Sequence, residues 1–267
     1  MRDMSKKIVQ LLEKELVVAL GCTEPVAIAW ATSVAKSYLE AAITSIDVTI
    51  SANVMKNAMA VGIPGMKQTG TGFVALGALA GDHERKLEVL KNVGPEFEQQ
   101  ALEFVEAGNV TIQLADTPKK LYIEVTVHSS SDYAKVIIED MHTEIRRIEV
   151  NGATIFEKEC DYYHEQGGQE KDICETLTLD SIHQFVMEVS LDELTLVKQS
   201  IELNRAICME GLKNNYGLQV GKILKDNVAK GLLSDDLITH AMSVTAAGSD
   251  ARMAGIMLPV MSNLGSG

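Results

Sequence analysis

Between residues 109 and 158 the sequence alternates apolar and polar residues in short runs, and this pattern constrains the fold most strongly. Val110–Leu114 is one such run, and similar runs follow up to Val150. Alternation with a period of two predicts strands with one buried and one solvated face. Asn151-Gly152 is typical of a type I′ hairpin turn, because both central residues of that turn need positive φ. We therefore expect an antiparallel sheet of four or five strands in 109–158, distinct from a helical body.

The rest of the chain carries mainly helical patterns. Ser5–Leu20 predicts an amphipathic helix, and Val26–Ala31, which is apolar on every face, predicts a helix that is buried all round. Alternation over 46–50 predicts one further half-buried strand, and Ser190–Glu193 has the pattern of a capping box that opens a later helix. We expect an α+β protein whose helical domain comes in two parts, residues 1–108 and 159–267, with the sheet domain 109–158 between them.

Composition excludes several classes of protein. The 267 residues carry a formal net charge of −13 without a basic patch, so we expect no nucleic-acid partner. No apolar run is long enough to span a bilayer, and residues 1–20 do not have the pattern of a signal peptide, so we expect a cytoplasmic protein without a membrane partner. Four widely spaced cysteines, with no C-x-x-C pair, predict neither a disulfide framework nor a self-contained zinc site.

The pentapeptide Gly21-Cys22-Thr23-Glu24-Pro25 joins the first two predicted helices. Gly21 suits a helix C-cap, and Thr23 can cap the helix that follows. Cys22 then precedes a helix N-terminus, where the backbone amides and the macrodipole favour an anion. We expect its thiol to ionise more readily than a free one, as a nucleophile or metal ligand does. The alternative is that Cys22 is a small buried apolar residue.

Asn53 to Gly72 is a second segment of interest. Asn53, Lys56 and Asn57 place polar and cationic groups at the start of an otherwise apolar helix, and a loop rich in Gly and Pro follows. Glycines allow backbone amides to approach a ligand closely, so an anion cradle is one interpretation. A simple turn between two helices is the other, since the loop matches no phosphate-binding fingerprint.

The end of the chain is rich in small residues around Asp250 and Arg252. Arg252 can bind a carboxylate bidentately, or it can form a surface ion pair with Asp250. The apolar segment Ile256–Met261 implies burial just before the Gly-Ser end, as in an incomplete domain. We expect the helical core to expose an apolar face near this segment, and such a face favours oligomers. A flexible Gly-Ser tail is the alternative explanation.

These stretches together resemble a bacterial family allied to the L-serine dehydratase alpha chain and to L-cysteine desulfidase. The resemblance implies β-elimination from a small amino acid to pyruvate and ammonia, with sulfide or water as the other product. It also implies an oxygen-sensitive [4Fe–4S] cluster held by three cysteines, the first matching Cys22, with one iron open as a Lewis acid. The matching pieces span almost the whole chain: GCTEP at Gly21–Pro25, NVMKNAMAVGIPG at Asn53–Gly65, the pair His142–Thr143, GSDARMAG at Gly248–Gly255 and PVMSNLGSG at Pro259–Gly267.

The sequence departs from the family pattern in two places. In the family, the Gly-Ser segment continues into a helical portion that supplies the other two cluster cysteines, whereas this sequence ends at Gly267. Cys160, Cys174 and Cys208 do not match those positions, so we expect an incomplete version of the protein without the cluster. Met66-Lys67-Gln68 also replaces smaller residues in the loop that follows the Gly-Pro-Gly turn.

The resemblance predicts a lyase acting on L-cysteine or L-serine, with Cys22 as a metal ligand and a small amino acid as substrate. The alternative is a non-catalytic small-molecule-binding or oligomeric protein of the same fold, and in either case we expect a homo-oligomer. His128, His142 and His164, taken singly, are more typical of structural or surface histidines than of ligands. The predicted substrate-binding residues are Thr23, Asn53, Lys56, Asn57, Arg252, Ser262 and Asn263.

Overall fold

The chain has an α+β fold, as the sequence predicts. The computed structural model describes residues 2–58, 61–62, 71–158 and 177–263. The first elements are α1 (Arg2–Glu15), β1 (Leu16–Leu20), α2 (Thr23–Ser37), β2 (Ile43–Ile50), α3 (Ala52–Ala58), α4 (Gly72–Ala80), a 3₁₀ turn (His83–Glu88) and α5 (Glu96–Glu106). Five strands follow: β3 (Val110–Leu114), β4 (Tyr122–Ser129), β5 (Tyr133–Glu139), β6 (Ile145–Val150) and β7 (Ala153–Glu157). The last elements are α6 (Leu179–Glu188), a 3₁₀ turn (Leu191–Glu193), α7 (Thr195–Lys213), α8 (Val220–Ala229), α9 (Leu237–Met253) and β8 (Pro259–Asn263).

The larger sheet has six strands in the order β3-β2-β4-β5-β6-β7. The five strands predicted within 109–158 are confirmed, and the type I′ turn is present, since Asn151 and Gly152 have φ of 50° and 82°. The prediction that they form an antiparallel sheet by themselves is wrong, because β2 lies between β3 and β4 and pairs in parallel with β3. The link from β3 to β4 contains Pro118 and is too long for a tight hairpin, which leaves room for β2. The assignment of segments to domains stays a prediction.

Helix α2 is the centre of the main core. Every residue from Thr23 to Ala35 is buried, which confirms the prediction from its uniformly apolar surface. Trp30 donates a hydrogen bond from Nε1 to the carbonyl oxygen of His83 at 2.8 Å. One apolar cluster contains residues of α2, of α4 and of the sheet, so the sheet packs directly on the helices.

The first helix is shorter than predicted. Residues 16–20 form β1, which pairs with β8 in antiparallel register from Leu16 opposite Asn263 to Leu20 opposite Pro259. The β-branched Val17 and Val18 favour a strand once a partner is available, and tertiary pairing thus outweighs the helical pattern. Val260 and Met261 of the same strand β8 are buried, whereas Met257, just before the strand, is 40% exposed.

The long C-terminal helix does not begin at Ser190, where the capping pattern predicts its start. Ser190 caps the 3₁₀ turn instead of a long helix, and α7 begins at Thr195. The capping box lies at Thr178 and Ser181 instead, where α6 begins. Among the described residues, no helix has both the length and the apolar character needed to cross a membrane.

Helices α2 and α4 approach so closely that only glycine fits at position 77. A Cβ at Gly77 would lie 2.3 Å from the carbonyl oxygen of Ala29. We predict that Gly77→Ala lowers the free energy of unfolding by about 1–3 kcal/mol, because the two backbones must separate. Urea denaturation measures the change. Ala80→Ser, near the end of α4, serves as the control and should stay within about 0.5 kcal/mol. Equal effects of the two substitutions would contradict the close packing.

Candidate functional site

Pairing of β1 with β8 brings residues 16–20 and 259–263 together beside the start of α2. Gly21, with φ of 77°, turns the chain between β1 and α2, and a residue with a side chain would be strained there. Gly21 thus ends a strand, not the helix that the sequence predicts. Cys22 occupies the N-cap position of α2, although its side chain makes no capping hydrogen bond. The start of α2 is therefore the point where sequence-distant segments meet.

The buried carboxylate of Glu24 is the centre of this site. Glu24 is 3% exposed. Its Oε2 accepts hydrogen bonds from Cys22 Sγ and from Thr23 Oγ1, each at 3.1 Å. Its Oε1 accepts a hydrogen bond from Asn57 Nδ2 of α3, also at 3.1 Å. Three donors thus compensate a carboxylate that would otherwise be costly to bury.

His142 reaches the same carboxylate from the sheet. It lies in the turn between β5 and β6, where Asp140 has φ of 66°, and it is 4% exposed. Its Nε2 lies 3.7 Å from Glu24 Oε1, a distance short enough for an ion pair but too long for a hydrogen bond. Within the described residues, neither ring nitrogen of His142 has a hydrogen-bond partner. Buried polar atoms of this kind are rare in folded proteins and call for an explanation.

The charges in the cluster shift the pKa values of Glu24 and Cys22 in opposite directions. Burial alone would raise the pKa of Glu24, but His142 and the Cys22 thiol hold it at about 2. Burial and the adjacent Glu24 carboxylate raise the pKa of the Cys22 thiol to about 12. The expectation of an easily ionised thiol is therefore wrong for this structure. Desolvation and a neighbouring negative charge outweigh the field of the helix N-terminus.

Arg252 lies in the last turn of α9 and faces the Gly21 peptide. Its Nε donates to the Gly21 carbonyl oxygen at 3.0 Å, and its Nη2 donates to Ser262 Oγ at 3.4 Å. Burial lowers the pKa of this guanidinium, although Cys22 and Glu24 oppose the shift. Asp250 instead accepts a hydrogen bond from the Gly221 amide at 3.4 Å. The described contacts thus contradict the surface ion pair between Asp250 and Arg252.

The structure brings together one group of the predicted site residues and leaves the others apart. Asn53 and Lys56 are exposed on α3, and Asn263 is exposed at the end of β8. The glycine-rich loop lies mostly in residues 63–70, outside the described residues, as do the 160–176 segment and the last four residues. The residues that meet around the Gly21–Glu24 peptide are Cys22, Thr23, Asn57, Arg252 and Ser262.

Sequence reasoning missed the two residues at the centre, Glu24 and His142. The signal was present, because both lie in stretches that carry the family resemblance, GCTEP and the His142–Thr143 pair. The local patterns assign no role to Glu24 and favour a structural or surface role for His142. Their pairing depends on the packing of the sheet against α2, which local patterns do not encode.

The described residues do not by themselves fit a [4Fe–4S] cluster. Such a cluster needs several thiolates, and among the described residues this site contains one thiol, that of Cys22. The other described cysteine, Cys208, lies on α7, with its sulfur against Gly248 of α9. Nowhere in the described ranges do three His, Cys, Asp or Glu side chains form a group that could hold a metal ion. Cys160 and Cys174 fall outside those ranges.

The site of this α+β protein combines the half-buried Cys22 thiol with the buried Glu24 carboxylate and His142 ring at a helix N-terminus. The serine dehydratase alpha chain family matches residues 84–267, and the chain belongs to that family. No solved structure matches this chain.

Curated relatives match over nearly the whole chain. The UPF0597 protein of Oleidesulfovibrio alaskensis is 42% identical over 262 residues, which cover 98% of this chain and 60% of the relative. UPF0597 protein PBPRB0240 of Photobacterium profundum is 41% identical over 265 residues, covering 97% and 60%. The UPF0597 protein of Dichelobacter nodosus is 38% identical over 268 residues, covering 100% and 61%. The chain thus spans about three fifths of the length of these relatives.

The high pKa of Cys22 predicts a thiol that alkylates slowly. With Cys160, Cys174 and Cys208 replaced by Ser, the rate of iodoacetamide alkylation at pH 8 reports Cys22 alone. We predict that Glu24→Gln raises this rate at least about tenfold, since one pKa unit changes the thiolate fraction tenfold. Glu202→Gln, which removes an exposed carboxylate on α7, should leave the rate unchanged. A wild-type rate profile with its midpoint below pH 9 would contradict the raised pKa.

The low pKa of Glu24 predicts a specific loss of stability in acid. Its pKa falls from 4.5 to about 2 on folding, so its contribution is complete above pH 4.5 and is lost as the pH falls through 2. The size is on the order of 3 kcal/mol. We expect the free energy of unfolding, measured in urea from pH 5 to pH 2, to fall less steeply for Glu24→Gln than for wild type or Glu202→Gln. Parallel profiles would show that Glu24 is not held ionised by its neighbours.

Proposed function

We propose that this chain carries part of the site of an iron–sulfur-dependent lyase. The reaction is β-elimination from L-cysteine or L-serine to pyruvate and ammonia, with sulfide or water as the second product. Membership of the serine dehydratase alpha chain family supports a lyase. The single observation that carries the proposal is the convergence of α2, α3, the β5–β6 turn, α9 and β8 on the Gly21–Glu24 peptide.

Arg252 is the proposed clamp for the substrate carboxylate. A guanidinium has five N–H donors, and the described contacts use its Nε and one donor of Nη2. The remaining donors can bind a carboxylate, and burial strengthens such a charge-assisted bond. Asn57 and Ser262, which already contact Glu24 and Arg252, complete the polar lining. Thr23, Asn53, Lys56 and Asn263 remain proposed substrate contacts on the basis of the resemblance.

Cys22 is the proposed ligand of the cluster in the whole family protein. When bound, the cluster supplies an iron that acts as a Lewis acid toward the substrate. The described residues offer it one thiol, so we propose that the 267-residue chain alone carries no cluster and no lyase activity. A cytoplasmic location, a homo-oligomeric state and the absence of a nucleic-acid partner belong to the same proposal.

The alternative is a non-catalytic binding or oligomeric protein of the same fold. The hydrogen bond that the Cys22 thiol donates to Glu24 favours this alternative, because a thiol with such a partner is typical of a structural cysteine. Since the chain spans about three fifths of its relatives, the two functions must be compared in a relative as well as in the chain itself.

Anaerobic iron–sulfur reconstitution followed by a pyruvate assay tests the proposal. The 267-residue chain and the relative from Oleidesulfovibrio alaskensis are reconstituted side by side, and each is assayed with L-cysteine and with L-serine. We expect pyruvate from the relative with at least one amino acid and none from the chain. The relative needs bound iron and sulfide for the comparison, and their stoichiometry is measured first.

Two results would overturn separate parts of the proposal. A cluster-loaded relative that forms no pyruvate from either amino acid would favour the non-catalytic alternative. Stoichiometric iron and sulfide with turnover in the 267-residue chain would show that this chain needs no further cysteines.

A further inference from the structure

We propose that Arg146 is a positioning residue for His142 in the candidate site. Arg146 lies on β6, and its guanidinium contacts carboxylates on both sides of the turn that carries His142. The juxtaposition that supports the proposal is a closed turn with the His142 ring next to Glu24 and an arginine that joins the two limbs of the turn. The proposal concerns the geometry of the site, and it holds whether or not the whole protein is a lyase.

The side chain of His142 does not fix its own position through hydrogen bonds to the described residues. The residue is 4% exposed, and its Nε2 lies 3.7 Å from Glu24 Oε1. In the described part of the chain, neither ring nitrogen has a hydrogen-bond partner. A buried ring of this kind is held by packing and by the backbone that carries it. The conformation of the turn between β5 and β6 therefore decides where the His142 ring lies.

This turn includes an unusual backbone conformation at Asp140. Its φ of 66° lies in the left-handed region, which residues other than glycine adopt rarely. Such a conformation persists where the surrounding structure holds it in place. The Asp140 amide donates to the Leu121 carbonyl oxygen at 3.4 Å, which is long for a hydrogen bond. This backbone contact alone thus holds Asp140 weakly, and its side-chain contacts gain importance.

Arg146 occupies a β-bulge, which explains why its side chain does not face the core. Ile137 lies opposite Arg147. The next residue of β5, the buried Ile138, lies opposite Ile145, so Arg146 is the extra residue of β6. Opposed residues of antiparallel strands point to the same face, and Ile145 thus packs against the main apolar cluster where a regular ladder would place Arg146. A bulge re-aims a side chain in this way and is a recurrent feature next to functional sites.

The Arg146 guanidinium joins the two limbs of the turn. Its Nη2 donates to Asp140 Oδ2 at 2.9 Å, before His142 in the sequence. Its Nη1 lies 3.6 Å from Glu144 Oε1, after His142. The side chain of Arg146 is 13% exposed, so these contacts are partly shielded from water. A planar guanidinium with several donors suits this bridge, which a lysine cannot reproduce with the same geometry.

These contacts belong to a network of ion pairs around the turn. A single exposed ion pair contributes little to stability, whereas a network of several charges can contribute more. Arg146 has the central place in the network, because it connects Asp140 with Glu144 across His142. The charges alternate along the network in the order Glu139, Lys119, Asp140, Arg146, Glu144 and Lys158.

Modification of histidines by diethyl pyrocarbonate, with each site read by mass spectrometry, tests the proposal on the 267-residue chain. We expect Arg146→Met to raise the modification rate of His142 by on the order of tenfold, because losing a hydrogen bond between charged groups favours local opening of the turn. The exposed His240 on α9 is the internal reference and should keep its rate. Lys135→Met is the matched control. It removes an ion pair with Glu124 at 3.3 Å in the same sheet and should leave the His142 rate unchanged.

A rescue variant separates positioning from general stability. In Arg146→Met, Asp140 keeps its positive φ and its carboxylate loses a cation, and Asp140→Gly removes both problems because glycine adopts positive φ readily. We expect the double variant Arg146→Met, Asp140→Gly to recover most of the protection of His142. Emission of Trp30, the one tryptophan of the sequence, should stay the same in all variants and report an intact core.

Three results would overturn the proposal: an unchanged His142 rate in Arg146→Met, an equal rise in Lys135→Met, or a rise that Asp140→Gly does not reduce. If Arg146→Met shifts the Trp30 emission, Arg146→Lys takes its place, since it keeps the charge and loses the bridging geometry. We expect a smaller rise in the His142 rate for that variant, and no rise would contradict the proposal equally.

Discussion

The Glu24 carboxylate is the interaction on which the arrangement of this protein depends. A carboxylate that is 3% exposed needs strong compensation. Glu24 accepts hydrogen bonds from Cys22, Thr23 and Asn57, and the His142 ring lies 3.7 Å from its Oε1. Removing one partner of such a group leaves an uncompensated buried charge, which is far costlier than losing a surface contact. The Glu24 carboxylate thus links the sheet, α2 and α3, in addition to the apolar cluster that packs them together. Its position in the first turn of α2 adds favourable interaction with the helix dipole.

A second constraint joins the beginning and the end of the described chain. Strands β1 and β8 form a two-stranded sheet, and two strands alone are marginally stable in water. Here β8 also bonds to Asn204 of α7, and Arg252 bonds to the Gly21 peptide. The C-terminal helices are thereby fixed to the start of α2 through backbone and side-chain contacts. The candidate site exists because these contacts place Arg252 near Cys22 and Glu24.

Local patterns predicted the elements whose causes are local. Helix α2 is buried all round because its surface is apolar all round, and Asn151-Gly152 turns because both residues tolerate positive φ. Patterns failed where a distant partner decides the outcome. Residues 16–20 have a helical pattern but become β1 once β8 is present, and β2 enters the sheet because β3 and β4 are joined by a long link. Long-range pairing of this kind has no signature within a window of ten residues.

The same reasoning explains what was predictable about the site. The sequence places Cys22, Asn53 to Asn57 and Arg252 in apolar helical surroundings, where a buried polar group needs a partner. The structure brings Cys22, Asn57 and Arg252 to the start of α2 and leaves Asn53 exposed. The electrostatics did not follow, because a helix N-terminus predicts an acidic thiol and the neighbouring carboxylate does the opposite. Glu24 occupies the anionic position at the start of α2 that the sequence assigns to Cys22. One negative charge is favoured there and a second is strongly opposed, so Glu24 ionises and Cys22 keeps its proton. The protonation state of Cys22 is thus set by burial and by its second neighbour in the sequence, Glu24, and both depend on the folded structure.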